Sequence, residues 1–438
     1  MFSQIPVNPA DDSFISCQLN YNYFDLYRSE SKSSYFKSYL STKSLSIDYK
    51  KNSFLLSFSM QDPKLYITNK NNRDDNFAFN GIFGRRSIQP KIDYENDIVN
   101  LGSEFTIYEN RRLAESSFNS YVEFKFNTTI INRFKIGLAK ESESLFTDIS
   151  YSTERILFDN DLKFYKLTQS FEVGKIFNSK WRFETFQQWK FDEGNISQTH
   201  HLNNSGNFYG ANISAEFLDN KLSLSSNYFA GDGKLIFEYD KNIYGEEKFS
   251  DIVFFRGEII STLLSTYNLI DEFKVGFMNF RGKSTGEIQS WPFTDVITSA
   301  IANRIYFRAN FNIQNYYLQF KKQFKISSFE ITPEILFLHL VPKGEFENWQ
   351  PLFLVFGVKD FKQSKISYKN AGFAHLTLQF YIEVEKYHLT ISGGQLIPIY
   401  QNKIESSSIG GPITTSSEKV KSDGGRWIEL SLKYIIGF

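Results

Sequence analysis

The chain has 438 residues and carries 49 Lys and Arg against 49 Asp and Glu, a net charge of zero. That balance excludes the basic surface a nucleic-acid partner needs and strong long-range steering of a charged solute. Aromatic residues make up 17% of the chain, with 46 Phe and 25 Tyr, while Pro and Met are scarce, a bias toward pleated, half-buried surfaces. Mean hydropathy is −0.35.

The opening Met1-Phe2-Ser3-Gln4-Ile5-Pro6 is too short for a signal peptide and reads as the stub of one. The expectation is an exported mature chain, with 1–13 as a short N-terminal segment and 14–438 as one folded body. Phe14-Ile15-Ser16-Cys17 imitates a lipoprotein cleavage site, but Asp11, Asp12 and the missing apolar stretch before it argue against one. Cys17 is the only cysteine, so no intrachain disulfide forms. No run approaches the ~20 apolar residues of a membrane helix. The chain is therefore either soluble or spans a membrane as a closed barrel, because only helices and closed barrels satisfy the backbone in lipid.

Period-two alternation runs from end to end, placing one residue set on each face of a strand. Ile15, Cys17, Leu19, Tyr21 and Tyr23 alternate with Ser16, Gln18, Asn20 and Asn22; Val122, Phe124 and Phe126 with Glu123 and Lys125. Tyr209, Ala211, Ile213, Ala215 and Phe217 alternate with Gly210, Asn212, Ser214 and Glu216. Ile305, Phe307, Ala309 and Phe311 alternate with Tyr306, Arg308, Asn310 and Asn312. Leu376 to Val384 repeats the pattern. Short polar turns stand at Lys51-Asn52, Ile131-Asn132, Asn178-Ser179, Asp219-Asn220, Asp271-Glu272, Ser327-Ser328 and Glu385-Lys386, with one more expected near Pro90. Longer polar stretches, such as 61–75, 192–206, 237–250 and 342–370, lie between them and read as loops.

The last segment is the clearest: Ile428, Leu430, Leu432, Tyr434, Ile436 and Phe438 alternate with Glu429, Ser431 and Lys433. It resembles the C-terminal strand of Gram-negative outer-membrane β-barrels of the porin-like class. There the terminal aromatic and alternating apolar residues are read by the barrel-assembly machinery, a role that would fall here to Tyr434, Ile436 and Phe438. The pattern implies an all-β fold: one transmembrane antiparallel barrel with short periplasmic turns and long extracellular loops. Eight short turns give eighteen strands, and seven would give sixteen. A soluble double sandwich is the competing fold.

On that fold the polar face lines a lumen. Its charged candidates are Glu123, Lys125, Arg182, Glu184, Arg256, Glu258, Arg308, Glu383, Glu429 and Lys433, acting either as a selecting wall or as a structural ion-pair network. Trp291, Pro292 and Phe293 open a stretch, 291–303, that breaks the alternation. Val296, Ile297, Ala300 and Ile301 share a helical face there, which suggests a constricting or partner-binding loop. His200-His201 reads as a solvated loop pair, and no constellation points to catalysis, a metal or a cofactor. The expectation is a bacterial outer-membrane channel for passive diffusion of small hydrophilic solutes. Its partners would be the bilayer, the assembly machinery and its solute. The alternative is a barrel anchor or subunit that binds an envelope protein for secretion, surface attachment or polysaccharide handling.

Overall fold

A computed structural model of the chain describes residues 13–438 except 31–33, 72–73, 85, 109–114, 151–154, 177–178, 196–199, 240–241, 268, 290–303, 354–358, 369, 401–402, 410–413, 420, 423–424 and 438. The described strands form a single closed antiparallel barrel of 18 strands. They are β1 (Ser13–Glu30), β2 (Ser34–Lys51), β3 (Phe54–Asn71), β4 (Asp74–Phe83, then Ser87–Glu95), β5 (Val99–Tyr108) and β6 (Glu115–Lys125). Next come β7 (Arg133–Ser150), β8 (Arg155–Ile176), β9 (Ser179–Asn195), β10 (His200–Phe217), β11 (Leu222–Tyr239) and β12 (Asn242–Ser261). The wall ends with β13 (Glu272–Gln289), β14 (Arg304–Lys321, then Phe324–Ile326), β15 (Phe329–Phe353), β16 (Lys359–Tyr368, then Ala371–Val384), β17 (Tyr387–Tyr400, then Lys403–Ile409) and β18 (Thr414–Lys419, Lys421–Ser422 and Arg426–Gly437). Closure is made by β18 against β1, from Phe14 opposite Gly437 to Asp25 opposite Arg426.

The apolar residues are turned outward. Leu19 is 52% exposed, Leu138 55%, Tyr209 53% and Ile428 57%, whereas the largest fully buried side chains are Ser16 and Ser179. A soluble sandwich would hold those large side chains between its two sheets. Here they are left for lipid, so the outward band is the membrane-spanning surface. Aromatic pairs border it on both sides. Phe54–Tyr94 and Tyr387–Tyr434, each with centroids 4.8 Å apart, mark the turn side. Tyr23–Tyr39–Tyr66 (5.9 and 4.4 Å) and Tyr316–His339–Tyr400 (6.2 and 5.9 Å) mark the other. From Phe54 to Tyr66 on β3 the strand advances ~40 Å, or ~30 Å across a bilayer after a tilt of ~40°. The two aromatic rims are therefore spaced to fit the hydrocarbon layer.

The short turns fall where the alternation stops. Positive φ occurs at Asn52, Asp219, Asn220, Ser327 and Glu385 (φ 50 to 68°), as tight hairpins with primed turns require. The turn expected near Pro90 lies instead at 96–98, where Asn96 Oδ1 accepts from the N–H groups of Ile98 and Val99 at 2.9 and 2.7 Å. Pro90 itself stands inside β4, opposite Phe58.

Strand length brings a second correction. Most strands run 17 to 25 residues, about twice the ~9–11 a bilayer needs. The stretches read as loops at 61–71, 192–195 and 242–250 are the upper parts of these strands. A tall wall therefore stands above the bilayer, and His200 and His201 belong to it, paired with Tyr239 and Glu238. There the facing reverses. On β14 the lipid-side parity of Tyr316 continues through Gln314, Asn312 and Asn310, all polar, while Ile313, Phe311, Ala309 and Phe307 point inward. Water outside and an enclosed space inside favour that inversion just as lipid favours the opposite below.

Asp271 ties two neighbouring periplasmic turns together, accepting from the Gln323 backbone N–H at 2.6 Å and from Lys322 at 3.0 Å. The Gln323 amide first, and Lys322 after it, hold the Asp271 carboxyl below its ordinary 3.8. A depressed folded-state value means that the stabilisation is complete above 3.8 and is lost as pH falls through the lower folded value. Urea unfolding in micelles should show wild type losing more stability than Asp271→Asn across that interval. Equal acid sensitivity would contradict this clamp. Leu430→Arg on the outward band should cost about 2–4 kcal/mol in vesicles, and Ser225→Arg on the inner face about 0.5 kcal/mol.

Candidate functional site

The inner face of the membrane-spanning part is polar, and the register aligns its charges into rows. Lys125 and Arg133 are paired across β6 and β7, Arg133 and Glu172 across β7 and β8, and Glu172 and Arg182 across β8 and β9. The side chains follow this order. Arg133 Nη1 lies 3.7 Å from Glu123 Oε1, Arg133 Nε 3.1 Å from Glu172 Oε2, and Arg182 Nη2 3.8 Å from the same oxygen. That oxygen makes no aligned hydrogen bond among the described residues, so both arginines hold it by charge rather than by directed bonding. A recess of about 240 Å³ is lined by Arg133, Glu172, Lys180, Trp181, Arg182, Ser214 and Glu216 near the periplasmic end of these strands. Glu184 continues the ladder, accepting from Asn212 at 2.9 Å.

A second group occupies β12 to β14. Arg256 Nη2 donates to Glu258 Oε2 at 2.6 Å, Tyr317 Oη donates to the same oxygen at 2.7 Å, and Arg256 Nε donates to Tyr317 Oη at 3.2 Å. Tyr317 reaches Glu258 because Gly276 stands between them in one row; a Cβ there would meet the tyrosine ring at 2.1 Å. The same device recurs on β4 to β6. Tyr121 crosses Gly102, whose Cβ would lie 2.1 Å from the ring, and donates to Asp93 at 3.2 Å. Glycine in a strand interior weakens it, and a ring laid over the gap restores the lost packing. Here the ring also carries a hydroxyl to an acid two strands away.

The remaining sequence candidates separate. Glu383 shares the inner face with Tyr381, whose hydroxyl lies 3.2 Å from Glu383 Oε2 and 2.7 Å from His388 Nδ1. Lys433 is buried, and Glu429 sits 3.5 Å from Ser392 Oγ. Lys125 is drawn into the turn, donating to Glu95 and to the Asn96 carbonyl at 2.7 and 2.8 Å. Arg308 is a correction: it shares the parity of Tyr316, stands on the outer face of the upper wall, and pairs there with Glu347 at 2.5 Å. Alternation in β14 continues across the level where the surroundings change from lipid to water, so the apolar set no longer marks the outside. Trp291, Pro292, Phe293 and the rest of 291–303 lie outside the described residues, as does Phe438. Tyr434 and Ile436 point outward with Leu430 and Leu432.

Sequence reasoning missed Arg133 and Glu172, although Phe134 and Ile136, and Phe171 and Val173, flank them in the same alternation. It also missed Tyr317. The adjacent pair Tyr316-Tyr317 hides the parity, and the glycine of Val275-Gly276-Phe277 was the available sign of a close approach.

No protein family and no curated protein matches this chain. It is similar to solved outer-membrane barrels. With CdiB from Acinetobacter baumannii it shares 9% identity at a TM-score of 0.42, over 96% of this chain and 60% of that one. With a Pseudomonas aeruginosa FadL homologue it shares 10% at 0.36, over 97% and 90%. With OpdQ of Pseudomonas aeruginosa it shares 11% at 0.31, over 97% and 99%. The chain thus spans less than two thirds of CdiB. Identity this low carries no residue of theirs onto this chain.

Gly276→Val should displace the Tyr317 ring and cost about 2 kcal/mol or more, whereas Tyr317→Phe, which removes one of the two donors to Glu258, should cost about 1–3 kcal/mol. Urea unfolding in micelles measures both. Wild-type stability in Gly276→Val would contradict the assigned contact.

Proposed function

We propose that this chain is an outer-membrane channel through which small solutes diffuse passively, sorted by size and by the charges of the inner wall. The observation that carries the reading is the ladder Glu123–Arg133–Glu172–Arg182 on the inner face of a closed barrel. A lumen that held only lipid-like packing would have no use for a run of part-exposed acids and bases. With both signs alternating, the wall hydrates a passage and discriminates by local field rather than by net charge. No energy coupling enters the scheme. Glu123, Arg182, Glu184, Arg256, Glu258, Glu383, Glu429 and Lys433 are the wall residues of this reading, joined by Arg133 and Glu172, while Lys125 is taken up by the turn. Tyr434 and Ile436, on the outward face of the closing strand, would present the assembly signal.

Purified full-length chain in planar bilayers should give stable ohmic currents in potassium chloride. Glu172→Gln, which leaves Arg133 and Arg182 without their shared acid, should shift the reversal potential in a salt gradient toward anion selectivity. Absence of current, together with a stable co-purifying envelope protein, would refute the channel and leave an anchoring role.

A further inference from the structure

The inner face is not polar throughout. One hydrogen-bonded row crosses seven strands from β9 to β15 in the order Phe186, Gly210, Phe229, Phe254, Phe280, Ile313, Pro342. Each member has the parity of the lumen. Phe254 is two residues from Arg256, Phe186 two from Glu184, and Ile313 four from Tyr317. Within the row Phe186 leans over Gly210 toward Phe229 with centroids 6.2 Å apart, and rings from the next row above join it: Phe208 stacks on Phe229 at 5.2 Å. Phe280 meets Phe311 at 5.0 Å.

These rings are half-buried, and the strands that carry them make their main contacts along the sheet, with their hydrogen-bonded neighbours. Their free faces are turned to the enclosed space. Buried apolar surface is worth ~25 cal/mol per Å², so a wall whose only need was to hold water would gain from polar residues at these positions. Yet the two rows immediately toward the periplasm are polar on β9 to β12: Glu184, Asn212, Asn227 and Arg256, then Arg182, Ser214, Ser225 and Glu258. The apolar row is a discrete track set above a charged one.

Charges of both signs stand beside the track. Glu258 accepts from Arg256 and Tyr317, and Glu184 accepts from Asn212. At the β8 end, the Lys166 ammonium lies 4.6 Å from the centroid of Phe186, so a cation borders the first ring directly. An apolar body on the rings would thus bring an attached anionic group beside Lys166.

We propose that this row is a binding track for small anions bearing a flat or acyl apolar body, and that such solutes are the class this lumen passes. The proposal rests on the channel reading and narrows its solute. The rings receive the apolar body by stacking, and Lys166 receives the charge. Displacement of the solute costs no covalent step, so the track shortens the free path without trapping what it carries.

The test uses full-length protein in planar bilayers, with benzoate and acetate as probes of equal charge. Benzoate should interrupt the potassium chloride current at about tenfold lower concentration than acetate, the change expected when a stacking contact worth ~1.4 kcal/mol is available to one of them. Phe229→Ser with Phe280→Ser should abolish that difference, and Lys166→Gln should weaken benzoate block while leaving benzyl alcohol unaffected. Phe277→Ser, on the outward face, should leave it intact. Equal block by the two anions, or benzoate block unchanged in the double variant, would overturn the track. Should the double variant fail to insert, Phe254→Asn alone replaces it. If the barrel does not conduct, the channel reading fails separately. The track is then decided by calorimetric titration of benzoate into detergent-solubilised protein: saturable heat lost in the inner-face variant supports it, and no saturable heat overturns it.

Discussion

Every feature of this molecule depends on the need to pair backbone N–H and C=O groups where no water can reach them. An unpaired group in hydrocarbon costs several kcal/mol, and a sheet meets the requirement only by closing. The seam between β18 and β1 meets it over an unbroken register from Phe14–Gly437 to Asp25–Arg426. Once closed, the sheet has just two surfaces, and the period of two assigns every residue to one of them. That is why a hydrophilic average composition is compatible with a membrane protein: the lipid needs only alternate side chains from part of each strand.

The same rule explains the inverted interior. Where the wall rises above the bilayer, β14 keeps its alternation but exchanges what each face meets, so Arg308 joins Glu347 outside and Phe307 and Phe311 turn in. The inner surface therefore carries an acid–base ladder at its periplasmic end and aromatic rings above it. Gly102, Gly210 and Gly276 are the means of fitting large rings onto that curved surface, since each leaves the space a neighbouring ring occupies. Two of those rings are tyrosines that end on acids, which couples packing to the wall's charge.

Much of this was legible from residue order. The alternation from Ile428 to Ile436 and the turn residues Asn52, Asp219, Ser327 and Glu385 gave the architecture and the strand count, because face and turn chemistry are local properties. What the residue order did not give were levels and partners. Nothing local says at which residue along β14 lipid ends, so Arg308 was assigned to the lumen. A turn is expected near Pro90 from the wide spacing between its neighbours, whereas the chain turns six residues later, at Asn96, whose side chain binds the backbone. Arg133, Glu172 and Tyr317 became visible as a site only when register set them beside residues 10 to 59 positions away. The apolar row is of the same kind: seven residues spread over seven strands have no common signature in the sequence.

The central claim is that the apolar face of each strand below the aromatic rim meets lipid while the polar face encloses water. Spin labels placed singly along β18 in a Cys17→Ser background, in vesicles, read that directly through their accessibility to oxygen and to a water-soluble nickel complex. Positions 428, 430 and 432 should favour oxygen and positions 429, 431 and 433 the nickel complex, in strict alternation. A flat profile, or the opposite phase, would contradict the account.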